Sequence, residues 1–68
     1  MIEIFKTDIN HQKVADFIVR LLTQKFPDCH INFDLEDCDN ILRIEGKGIS
    51  KQKVIRFLDE LGFVCAVL

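Results

Sequence analysis

The amino-acid sequence predicts a small α+β domain with the element order β-α-β-β-α-β. Three observations predict it. Residues 2–7 and 29–36 alternate apolar and other side chains with the period of two that belongs to a strand. Val14, Phe17, Ile18, Leu21 and Leu22, and later Val54, Phe57, Leu58 and Leu61, recur at helical spacing. The two halves of the chain also match at an offset of 40: Ile4 with Ile44, Ile9 with Ile49, Gln12-Lys13-Val14 with Gln52-Lys53-Val54, Phe17 with Phe57 and Leu21 with Leu61.

The elements follow in order. Ile2, Ile4 and Lys6 point one way from the first strand, and Glu3, Phe5 and Thr7 the other. Asp8 or Asn10 is then the expected acceptor for the free N–H groups of a starting helix. That helix runs from about residue 11 to 26 and stops before Pro27-Asp28, because proline disfavours helical geometry in the residue before it. Cys29, Ile31, Phe33 and Leu35 share one face of the second strand, with His30, Asn32, Asp34 and Glu36 on the other. Asp37-Cys38-Asp39-Asn40 is turn chemistry, and Ile41 to Glu45 return as the second arm of a hairpin. Gly46-Lys47-Gly48 breaks the chain, and Ser50 is placed to cap a second helix. Gly62 stands where a left-handed residue ends that helix, and residues 63–68 form a short apolar strand.

This order is the split βαβ, or ferredoxin-like, arrangement: an antiparallel sheet of order 4-1-3-2 with both helices on one face. Ile2, Ile4, Ile31, Phe33, Leu35, Leu42 and Ile44 are expected to meet the helices. Glu3, Phe5, Asn32, Asp34, Ile41, Arg43 and Glu45 are expected on the open face, with two or three apolar residues of the last strand. Phe5 and Ile41 there would attract a partner.

Residues 1–68 form a single domain, with 49% hydrophobic and 29% charged residues and a formal net charge of −2. A chain this short buries too little surface to enclose a deep active site. The balance of 9 Lys+Arg against 11 Asp+Glu lacks the footprint of a nucleic-acid or anionic-membrane binder. No stretch approaches the length of a membrane span. Cys29, Cys38 and Cys65 are odd in number and form no CxxC, and residues 1–6 carry an acid and no apolar leader. The expected compartment is the reducing cytoplasm.

Catalytic signatures are missing from the pattern. Gly46-x-Gly48 lacks the third glycine and the Lys-Ser/Thr of a phosphate cradle and reads as a strand-to-helix turn. Asp34, Glu36, Asp37 and Asp39 crowd the hairpin but lack the central Gly and closing Glu of a calcium loop. The topology gathers the β1–α1 loop, the hairpin turn and the α2–β4 junction at one end of the sheet. Asp8, His11, Cys38 and the hairpin carboxylates would meet there, and Cys, His and Asp are competent Zn²⁺ ligands. His11 and Cys38 are therefore the candidate metal residues, and no cofactor is expected.

In element order, in Ile4-Phe5-Lys6 entering the first loop and in the ending Leu58-x-x-Leu61-Gly62-Phe63-x-Cys65, the chain resembles the heavy-metal-associated (HMA) family of copper-chaperone-like domains. The resemblance spans essentially the whole length. The segment from Asn32 to Arg43 is similar to that of short bacterial HMA-like proteins. That family binds Cu(I) or other soft ions through a Met-x-Cys-x-x-Cys loop. Its Met falls on Ile9, its first Cys on His11 and its second on Val14, so the thiolate pair is absent.

The sequence thus points to a non-enzymatic binding or interaction module of HMA-like fold with a degenerate metal loop. Its expected partner is a protein or a second copy, met through the open sheet face or an edge strand, with neither nucleic acid nor membrane involved. The alternative is a residual metal carrier using His11, Cys38 and the hairpin carboxylates.

Overall fold

Six elements follow one another in the expected order: β1 Ile2–Thr7, α1 Gln12–Lys25, β2 His30–Asp34, β3 Ile41–Glu45, α2 Lys51–Glu60 and β4 Cys65–Val67. The computed structural model describes residues 1–68. All strand pairs are antiparallel and the sheet order is β2-β3-β1-β4, a ferredoxin-like α+β fold. α1 lies against β2 and α2 against β4. Their buried residues Ala15, Ile18, Leu22, Val54 and Leu58 join Phe5, Ile9, Leu42 and Ile44 in one core.

Each helix end has a local cause. Ser50 caps α2, its hydroxyl accepting from the Lys53 N–H. At the other end Gly62 is left-handed (φ 92°), its N–H donating to the Asp59 carbonyl and that of Phe63 to the Leu58 carbonyl. This double bond pattern is the Schellman closure, with Phe63 and Leu58 also joined through the core. α1 is capped by His11, not by Asp8 or Asn10. The Asp8 carboxylate is occupied elsewhere, accepting from the Val64 N–H at 2.9 Å. That tie and the Schellman turn also hold residues 63 and 64, so β4 is shorter than residues 63–68. β2 ends at Asp34, whose carboxylate accepts from the Glu36 N–H and turns the chain.

The facing of β1 differs from expectation. Glu3 pairs with Ile44 and Phe5 with Leu42, and directly opposed residues share a face. Phe5, 0% exposed, is therefore in the core, while Ile2, 51% exposed, and Ile4 lie on the open face. Glu3 tolerates the helix side because its carboxylate reaches Lys51 at the start of α2, 3.4 Å away. β2 and β3 alternate as expected, with Ile31, Phe33, Leu42 and Ile44 inward and Asn32, Asp34, Arg43 and Glu45 outward. Ile41, outward by parity, is only 5% exposed and adds nothing to an open patch.

The inversion puts the strands of the internal repeat out of phase. In the helices the repeat is in phase, since Ile18 and Leu58 are both fully buried. In the strands it is not, because Phe5 and Ile44 are the buried equivalents. The loop between β3 and α2, residues 46–50, is one residue longer than that between β1 and α1, residues 8–11. Gly48, left-handed at φ 65°, makes room for the extra residue. One added residue turns every strand side chain to the other face.

Candidate functional site

Three connections converge at one end of the sheet, as the topology predicts. The Thr7 N–H donates to the Asp39 carbonyl at 3.0 Å, tying β1 to the hairpin turn. Its hydroxyl donates to the Asn40 carbonyl at 2.7 Å and accepts from the Ile9 N–H at 3.1 Å. Asp8 grips the α2–β4 junction from both sides, its N–H on the Val64 carbonyl and its carboxylate on the Val64 N–H.

The candidate ligands do not all meet within this frame. His11 is extended (φ −121°, ψ 126°) and its Nδ1 accepts from the Lys13 N–H at 3.3 Å. One ring nitrogen is thus used in capping α1. Cys38 is exposed at the hairpin tip, where ligand atoms of Asp37, Cys38 and Asp39 lie within 4.8 Å of one another. His11 is not one of that group. The turn accounts for the arrangement without an ion: the Asp37 carboxylate accepts from the Asp39 N–H, and Asn40 takes the left-handed conformation (φ 46°) that leads into β3.

A soft-ion centre of the HMA kind does not fit the residues present. Ile9 is a core residue, His11 is a cap and Val14 is a half-buried aliphatic, so no sulfur ligand stands in the β1–α1 loop. The other thiols are elsewhere. Cys29 packs beside Gly46, and Cys65 packs against the core from β4. Burial pushes the Cys65 thiol up to about 11, the opposite of the lowered value that activates a nucleophile.

What the loop end does offer is apolar. His11, Val14, Phe17, Leu61 and Phe63 line an open groove of about 490 Å³ between the start of α1 and the end of α2. Phe17 there is 51% exposed. By spacing Phe17 and Leu61 belong to the helix stripes, yet both are exposed at the margin of the core. The signal that they lie outside the core was the width of those stripes, wider than a two-layer core covers.

On the opposite side of the sheet, exposed Ile2 and half-buried Ile4 share the open face with Lys6, Arg43 and Glu45. The Leu68 N–H donates to the Ile4 carbonyl, so Leu68 continues β4 beside Ile4. The Arg43 guanidinium donates to the Asn32 side-chain oxygen at 3.3 Å across this face. Fold and site together define a small ferredoxin-like domain whose open face mixes charged residues with exposed Ile2 and Leu68. Compared with family models, curated proteins and solved structures, the chain matches none of them.

Proposed function

We propose that the protein is a non-enzymatic interaction module, an HMA-like domain whose metal loop has lost its sulfur ligands, acting in a reducing cytoplasm. One observation carries this reading: on the sheet face free of helices Ile2 is 51% and Leu68 64% exposed, with half-buried Ile4 beside them, where a one-sided sheet normally presents polar residues. Such a patch gains free energy when another surface covers it. The HMA resemblance and three free cysteines support the rest.

The test is association of the intact chain, read by light scattering and by capture on immobilised protein. Wild type is expected to retain a partner or a second copy, and Ile4→Lys to lose it while keeping its fold. A strict monomer at high concentration that captures nothing counts against the reading.

The second reading, a residual metal carrier, is favoured by the convergence of Asp37, Cys38 and Asp39. Native mass spectrometry of reduced protein with Zn²⁺ and Cu(I) separates the two. Binding that persists in a His11→Ala, Cys38→Ser double variant removes those ligands from the carrier hypothesis.

A further inference from the structure

β2 is the outer strand of the sheet on the α1 side. From His30 to Asp34 it carries no lysine, no proline and no bulge, the devices by which exposed edges are kept from pairing. β4, the other outer strand, has three residues and is a poorer template. Ile31 and Phe33 stay half-buried, whereas Leu42 and Ile44 beside them on β3 are fully buried. The space responsible is a groove of about 480 Å³ between β2 and α1, lined by Ala15, Val19, Ile31 and Phe33 and by the exposed Asp16 and Arg20.

We propose that this flank pairs with that of a second copy, β2 antiparallel to β2 about a two-fold axis at Asn32, giving a continuous eight-stranded sheet. The inference rests on the interaction-module reading and names its partner. A two-fold interface must be self-complementary, and the sequence of β2, His-Ile-Asn-Phe-Asp, is so in this register. His30 meets the partner's Asp34 on the open face, and the reverse pair repeats it. Ile31 meets the partner's Phe33 on the helix face, an aliphatic–aromatic pair of the kind that stabilises sheets. Asn32 meets the partner's Asn32. Its side-chain oxygen is held by Arg43, and its amide NH₂ is free to donate.

Opposed residues in this register have the same parity, so the outward backbone groups of one strand meet those of the other. Moving the axis to Asp34 or to His30 would set like side chains against each other and shorten the overlap.

The same axis treats α1 consistently. Ala15 to Arg20 border the groove at the level of Ile31 to Phe33, so the two-fold passes near the middle of that helical stretch. The two α1 helices then run antiparallel, with Asp16 against the partner's Arg20 and Arg20 against the partner's Asp16. Gln12, donating to the Asp16 carboxylate at 2.8 Å, holds that acid in place. Two independent patterns, a His–Asp hydrogen-bonding pair on the strand and an Asp–Arg charge pair on the helix, are thus complementary about one axis.

Sedimentation equilibrium of the whole chain, over concentrations reaching the millimolar range, tests the proposal. Wild type is expected to reach twice the chain mass. Asn32→Lys sets two cations face to face on the axis and should leave a monomer with unchanged circular dichroism, its melting lowered slightly because the new lysine also faces Arg43 of its own chain. Asp16→Arg or Arg20→Asp alone should weaken association by roughly tenfold, since two ion pairs become two repulsions, and the double swap should restore it. A wild type that stays monomeric overturns the proposal, as does a double swap that remains as weak as the single variants. A dimer untouched by Asn32→Lys but abolished by Ile4→Lys also overturns it, while leaving the interaction-module reading standing on the open face.

Discussion

The Thr7 hydroxyl donates to the Asn40 carbonyl, 2.7 Å away at the head of the neighbouring strand, and so locks the end of β1 to the hairpin. Thr7 is buried, and the same oxygen accepts from the Ile9 N–H. Replacing Thr7 by Val keeps the β-branched shape but strands a buried N–H and a carbonyl. We expect Thr7→Val to lower stability by about 1–3 kcal/mol, read as a reduced urea midpoint with unchanged slope. Serine at the same position should recover most of the loss.

The facing of β1 is testable by truncation. Phe5 is fully buried and Ile4 is half-buried on the open face. Phe5→Ala should cost about 3–5 kcal/mol, the usual range for emptying a core aromatic site. Ile4→Ala should cost far less in the isolated domain. Equal losses, or the reverse order, would contradict the observed register of β1 with β3.

Gly46 is required for space rather than for its backbone angles. A Cβ at this position would lie 2.6 Å from the Cys29 sulfur and 3.2 Å from the Cys29 Cα. Gly46→Ala is expected to destabilise by about 1–3 kcal/mol, as overpacking does. Adding Cys29→Ala should return part of that loss in thermal melts, because the closest atom is removed while the Cα remains.

Thiol chemistry should order itself by environment. Cys38 is exposed at the hairpin tip and is expected to be alkylated first in a mass-spectrometric time course at mildly alkaline pH. Cys65 should react last, because burial raises its thiol from an ordinary 9.0 to about 11. The folded protein holds that proton more tightly than the unfolded chain does. The contribution to stability is therefore complete below pH 9.0 and is lost as the pH rises toward about 11. Cys65→Ala should flatten the alkaline end of the stability profile.

Much of the loop end was legible in the chain. Element order alone brings the β1–α1 loop, the hairpin turn and the α2–β4 junction together, and they do meet. The use made of the polar residues there was not legible. Asp8 looks like a helix cap by position, yet its carboxylate is taken by Val64, 56 residues away in sequence. His11 looks like a ligand by chemistry, yet it caps α1. Such roles depend on which donor happens to stand within hydrogen-bond reach, and sequence spacing carries no information about partners that are distant along the chain.

By itself, the sequence determined which segments are strands and helices, because periodicity and turn chemistry are local properties of the chain. It also determined that the two halves are related and that no thiolate pair occupies the first loop. Only the tertiary structure decided which face of β1 is buried. Both faces of that strand carry apolar residues, Ile2 and Ile4 on one and Phe5 on the other, so alternation could not choose. The choice lies in the pairing of Phe5 with Leu42. Because the two faces of a strand differ by a single residue of phase, this register puts Phe5 in the core and leaves the isoleucines on the open sheet, and a slip by one residue would reverse them.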